Sequence, residues 1–243
     1  MLRRLSLLSL SLLVFTACAW TQRGPNIFVT PIPNAPFSGT VEVQRSIVQD
    51  DGHILAMKTT RMIARDQSGD IYNEMRMLVS PSYPRMPQLL RIHLYYPKTR
   101  ITVMLDPTTK TYWANAVNRP PATEPPGLFF AAPTGSDLPP SQYSDRVDLG
   151  SRKMDGLEVH GVRITQTIPP SITGTGKPIV ITDEYWYSYD LRMNLRIVHN
   201  DPRTGSVTMQ VTDLSLQPPD PAVFQIPSDY RLAGAQQGTG KSQ

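Results

Sequence analysis

Several groups of residues in the sequence have types and spacings that could do chemistry. Ala235-Gln236-Gln237-Gly238-Thr239-Gly240-Lys241-Ser242 has the spacing of a phosphate-binding loop. That chemistry needs a strand before the glycines and a helix after them, whose N-terminal amides receive the anion. Only Gln243 follows, so no nucleotide site is expected there. Gly174-Thr175-Gly176-Lys177 is a partial match, but Pro178 keeps a helix from starting in the required way. The histidines are His53, His93, His160 and His199. No two have the spacing of metal ligands, and each falls on an expected strand or turn. Acyl-transfer chemistry needs a nucleophile, a base and an orienting acid. No Gly-x-Ser-x-Gly turn is present, and His199 near Asp201 makes no triad without a nucleophile. Asp183 and Glu184 are adjacent, so on a strand they point to opposite faces and do not form a carboxylate pair. The expectation is a non-enzymatic protein with no metal and no cofactor.

The aromatic clusters carry more information. Tyr112-Trp113 and Tyr185-Trp186-Tyr187 lie in β-rich stretches. Such side chains pack cores and pair across strands. They also line the apolar cavities that hold small molecules. On the second reading Trp113 and Trp186 are candidate cavity walls, and Leu128, Phe129 and Phe130 are the candidate lid. On the first they are core residues, and the Leu128-Phe129-Phe130 loop anchors itself at a sheet edge.

The elements that must position these residues begin after an export signal at residues 1–19. Met1-Leu2-Arg3-Arg4 is a positive start, Leu5 to Phe15 is apolar apart from serines, and Thr16-Ala17-Cys18-Ala19 is a small-residue close. Two endings fit. Cleavage before Trp20 follows the small-x-small rule. Phe15-Thr16-Ala17-Cys18 resembles a lipobox, with Phe15 where leucine is usual, and Cys18 is the single cysteine of the chain. The first ending gives a free periplasmic protein. The second gives an outer-membrane-anchored lipoprotein that reaches the membrane only through its lipid at Cys18. The apolar run is well short of the roughly 20 residues a membrane-spanning helix needs.

Composition narrows the partners. The net charge is +4, and Arg3 and Arg4 leave with the signal. The remaining basic residues are scattered, so nucleic acid is not an expected partner. With one cysteine no internal disulfide forms, and stability must come from the core.

Residues 20–36 contain Pro25, Pro31, Pro33 and Pro36 and read as an extended tether. From Phe37 the sequence alternates at period two, as in Val41-Glu42-Val43-Gln44, which argues for half-buried strands. Strands are expected near 41–47, 53–65, 71–79, 89–96, 100–105 and 110–116, joined by short turns such as Asp51-Gly52. Residues 117–144 carry seven prolines and read as a long loop. Strands resume near 146–153, 159–168, 179–189, 194–200 and 206–216, with Asp155-Gly156 as another hairpin turn. The tail, 233–243, reads as disordered. The β domain thus spans 37–232. Its fold class is all-β and mainly antiparallel: a single strongly curved sheet or half-barrel of about ten or eleven strands, with two packed sheets as the alternative.

Two stretches resemble a known group. Pro219-Asp220-Pro221-Ala222-Val223-Phe224-Gln225-Ile226-Pro227-Ser228-Asp229-Tyr230 is similar to the ending of many exported proteins related to the lipoprotein-localisation carriers. Ile179 to Tyr187 and His199-Asn200-Asp201-Pro202-Arg203 resemble uncharacterised secreted bacterial proteins of that broad type. The resemblance covers roughly Phe37 to Leu232. It implies a curved antiparallel sheet with acyl chains in its concavity, and hence a lipid or other hydrophobic molecule as ligand. The carriers close their half-barrel with helices, one of them before the first strand. Here that region is Pro-rich, which leaves the loop around Leu128-Phe129-Phe130 as the candidate cover. A protein-interaction or sensor module of the envelope, with a packed sheet and no cavity, is the alternative.

Overall fold

The computed structural model of the chain describes residues 26–117, 143–174 and 176–233. A first meander runs through β1 (Phe37–Val48), β2 (Ile54–Arg65), β3 (Ile71–Arg76), β4 (Leu89–Tyr96), β5 (Ile101–Asp106) and β6 (Thr111–Ala116). A second runs through β7 (Ser144–Met154), β8 (Leu157–Ile168), β9 (Ile179–Ser188), β10 (Met193–Asp201) and β11 (Gly205–Ser215). A one-turn helix, α1 (Pro170–Thr173), interrupts the β8–β9 connection, and β12 (Arg231–Leu232) closes the described chain.

The strands follow from their residues. In β1 Phe37, Val41 and Val43 are buried while Glu42 and Gln44 are exposed, as period-two alternation requires. Asp155 and Gly156 both have positive φ, 47° and 83°, which is the tight turn an Asp-Gly pair favours between strands. β3 stops at Arg76, earlier than its sequence pattern; beyond it Met77 N donates to Gln88 O and Val79 makes a bridge to Lys58. Pro81, Pro84 and Pro87 lie in the stretch that follows.

The meanders join where β1 pairs antiparallel with β11, Val41 opposite Val211 and Val43 opposite Met209. Among the described residues the result is one twelve-stranded sheet in the order β12-β6-β5-β4-β3-β2-β1-β11-β10-β9-β8-β7, not two packed sheets. The pairing of β12 with β6 is parallel, a contact that the meander pattern does not contain. β7 forms the outer edge among the described residues. It carries Arg146, Asp148, Arg152 and Lys153 and a bulge between Asp148 and Gly150, devices that discourage edge-to-edge pairing.

The sheet is open and curled. Arg65 on β2 donates from Nη1 to the Leu191 carbonyl, just before β10, at 3.0 Å. A flat sheet would hold β2 and β10, three neighbours apart, at about 14 Å. Arg65 points into the concave side, and the residues paired in register with it share that side.

Residues 26–36 are extended, as their prolines require, but they are not a free tether. Ile27 and Val29 are buried in the main core with Phe37, Val41, Ile63 and Ile197. Proline removes backbone donors and leaves carbonyls intact. Two arginines of β2 take up those carbonyls: Arg61 donates to Ile27 O at 2.9 Å, and Arg65 donates to Thr30 O and Ala35 O, both at 2.7 Å. The Pro-rich segment is therefore itself a cover on the concave face.

The convex face of β2–β6 has a second cover. Ala64, Tyr72, Leu94, Val103 and Leu105 form a cluster there with Phe224, and Val223, Ile226 and Tyr230 pack against it. Full burial of a side chain such as Phe224 stabilises by about 1.5–3 kcal/mol. The Tyr96 hydroxyl fixes the segment by donating to Phe224 O at 2.6 Å.

Candidate functional site

Strand register assembles one row of side chains on the concave face. Asn73 stands opposite His93, His93 opposite Met104, and Met104 opposite Trp113. On the other side Thr59 faces Val43, which faces Met209. Between these rows lies an open cavity of about 490 Å³. Val43, Met75, Leu78, Met104, Val207 and Met209 form its apolar walls. Methionine side chains are flexible and polarizable, so such a wall adapts to the shape of an apolar chain.

The polar lining is mainly cationic. Arg61 is only 9% exposed. Its guanidinium donates to Asn26 Oδ1 at 2.8 Å, to Ile27 O, and to Asn73 Oδ1. All three acceptors are neutral. Burial pulls its pKa down to about 10, which leaves it charged near neutrality. Arg45 and Arg91 line the same cavity and are exposed. Arg91 lies over the Trp113 ring at 5.2 Å from its centroid.

Glu74 borders the cavity on β3, but its carboxylate lies on the convex side with Tyr72, and its oxygens are committed there. Oε1 accepts from the Tyr72 hydroxyl at 2.8 Å, and Oε2 accepts from Arg76 Nε at 2.7 Å and Met62 N at 3.0 Å. Desolvation pushes its pKa up, but these donors outweigh it and hold the carboxyl below its usual range. His93 Nε2 lies 2.6 Å from Thr102 Oγ1, and burial lowers the histidine's pKa, so the imidazole adds no charge near neutrality. Thr59 is 8% exposed, and its hydroxyl is buried with no hydrogen-bond partner among the described residues.

Of the residues that the sequence singled out, Trp113 shares this face and stands one strand beyond the lining residue Met104. Trp186 does not line the cavity. Tyr185 pairs with Ile197, which pairs with Met209, so alternation sends Trp186 to the other side of β9. There its indole N–H donates to Glu184 Oε1 at 2.6 Å, and Arg152 stacks 3.6 Å from its ring centroid. The two tryptophans are not brought together. Cys18, Leu128, Phe129 and Phe130 lie outside the described residues, as do the signal and the tail motif.

His199 pairs with Asp183, Nδ1 to Oδ1 at 2.7 Å, and not with Asp201, which takes Arg203 instead. Asp183 and Glu184 do point apart, Glu184 to Trp186 and Arg163. Among the described residues no group of three or more His, Cys, Asp and Glu is placed to hold a metal. No helix among them is long and apolar enough to cross a membrane. The residues that the sequence reading passed over are the arginines and methionines. Their signal was their parity: Arg61, Asn73, Arg91, His93 and Met104 occupy positions that the hairpin registers bring to one face.

No family model matches the chain, and no curated protein matches it. Solved structures do. The chain is similar to a LolA superfamily protein from Nitrosomonas europaea at 11% identity, covering 81% of this chain and 92% of that one, with a TM-score of 0.32. It is similar to MucB at 10% identity, covering 83% of this chain and 60% of that one, with a TM-score of 0.40. It is similar to the Mycobacterium tuberculosis lipoprotein LppX at 13% identity, covering 75% and 88%, with a TM-score of 0.26. Likeness at this level bears on neither family, ligand nor activity.

Proposed function

We propose that this chain is an exported, non-enzymatic envelope protein that holds a hydrophobic ligand, a lipid or acyl chain, against the concave face of its sheet. The cavity between β1–β5 and β11 carries this reading. Its volume of about 490 Å³ falls within the roughly 300–1,000 Å³ typical of small-molecule sites. Its walls are methionine and branched aliphatic side chains, and each methylene buried there contributes about 0.8 kcal/mol before the costs of association. The signal at 1–19 supplies the address, with Cys18 as a lipid anchor or with cleavage before Trp20. The interaction-module alternative calls for a packed concave face, and a cavity of this size favours the ligand reading over it.

Trp113, beside Met104, gives a direct test. Titration of the mature chain with a dodecanoate brominated near its chain end should quench tryptophan fluorescence saturably. Trp113→Phe should remove most of the quenchable signal. Absence of saturable quenching in the unsubstituted chain would sink the reading.

A further inference from the structure

We infer that the ligand is an anionic amphiphile, with its carboxylate or phosphate head held by Arg45, Arg61 and Arg91 and the Thr59 hydroxyl, and its chain laid along the methionine wall. The inference rests on the hydrophobic-ligand reading and adds the chemistry of the head.

Charge is the first argument. Arg45, Arg61 and Arg91 line the cavity from its own face, whereas the side chains of the bordering residues Glu74 and Arg76 lie with Tyr72 on the other side of β3. Arg76 and Glu74 neutralise each other at 2.7 Å. Among the described residues Arg45, Arg61 and Arg91 form no salt bridge, and Arg91 alone helps to hold a carboxyl, that of Asp106, below its usual range. The cavity therefore presents three guanidinium groups without a carboxylate of their own. An apolar ligand alone does not call for them.

Burial is the second. Arg61 cannot swing into solvent, because its guanidinium is tied to Asn26, Asn73 and the Ile27 carbonyl. A buried cation with only neutral acceptors is costly. An anion delivered by the ligand offsets that cost, and the planar guanidinium fork matches carboxylate and phosphate oxygens.

Thr59 is the third, and it is independent of charge. Its hydroxyl is a donor buried in the lining with nothing among the described residues to receive it. Thr59 precedes Arg61 by two residues on the same face of β2 and stands opposite the apolar Val43. It lies between the levels of Arg61 and Arg45 on that face, where an oxygen of the ligand head is within reach of the strands that carry both guanidinium groups. A ligand oxygen there satisfies the orphan hydroxyl.

The test uses four probes with one chain length, each below its micelle concentration: dodecanoate, dodecyl phosphate, dodecanol and dodecyltrimethylammonium. Their affinities for the mature chain are measured by calorimetry. The expected result is that both anions bind at least about tenfold more tightly than dodecanol, the size of one hydrogen bond to a charged group, with the cation weakest. The tighter of the two anions tells a free fatty acid from a phosphorylated lipid. Arg45→Gln with Arg91→Gln, both at exposed positions, should lower anion affinity several-fold more than dodecanol affinity, and Thr59→Val should weaken the anions and dodecanol alike, since both bring an oxygen to the hydroxyl. Equal affinity for all four probes overturns the inference and leaves the hydrophobic site standing. No binding of any probe overturns both.

Discussion

The indole of Trp186 lies directly against Gly161. A Cβ added at residue 161 would fall 2.7 Å from Cζ3 of the ring and 2.8 Å from Cε3. The two residues are opposite one another in the β8–β9 register, so the absence of a side chain on one strand makes room for the largest on the next. Gly161→Ala forces the ring to move out of the core, at an expected cost of about 1–3 kcal/mol. A urea midpoint lowered accordingly, and partly restored by adding Trp186→Phe, is the expected outcome. An unchanged midpoint would show that the ring moves freely.

Arg65 is fully buried and lies over the Phe37 ring, 5.0 Å from its centroid, while it donates to three carbonyls from two distant segments. Burial pulls its pKa down to about 10, and it remains charged near neutrality. Arg65→Met fills much of the volume but leaves Thr30 O, Ala35 O and Leu191 O without their donor. The expected loss is at least about 3 kcal/mol. Limited proteolysis should then cut within residues 26–36 before the rest of the sheet. A variant as stable as the parent would contradict the role given to this side chain.

Asp201 supplies a pH dependence with a definite sign. The Arg203 side chain, first, and the Arg203 backbone amide hold its carboxyl below the ordinary value of 3.8, against desolvation. A folded value below the unfolded one contributes stability that is present above 3.8 and is lost as pH falls through the lower folded value. Asp201→Asn should therefore destabilise the protein at pH 7, and the difference from the parent should shrink once the pH drops below 3.8. A difference that persists unchanged at pH 2 would assign the effect to something other than this charge.

Phe224 holds the C-terminal segment over the convex face. Phe224→Ala removes a ring that is 6% exposed and should cost about 3–5 kcal/mol. Hydrogen exchange should show β5 and β6 losing protection ahead of β9 and β10, because the convex cluster is built on the first meander. Uniform loss across the sheet would mean that the segment has no separate role.

The strands were legible because alternation and proline set them. Leu89 to Tyr96 was expected as a strand and is one, bounded by Pro87 and Pro97. The packing of residues 26–36 is not legible in the sequence because proline content reports only missing donors. It says nothing of the carbonyl acceptors that Arg61 and Arg65 find from thirty or so residues further along the chain. The cationic lining was hidden for a related reason. Arg45, Arg61 and Arg91 look scattered along the chain, and only the pairing registers of β1–β4 gather them. Trp186 shows the reverse limit: its size foretold burial, but the parity of β9 relative to Met209 decided which face.

The most direct test of a ligand on the concave face is native mass spectrometry of the mature chain extracted gently from its own envelope. The account predicts a bound mass that disappears on denaturation and is a lipid or acyl-bearing molecule. It also predicts that Met104→Trp with Met209→Trp, which fills the cavity, yields the bare chain. A bare mass for the unsubstituted protein, or the same bound mass on the filled variant, would contradict it.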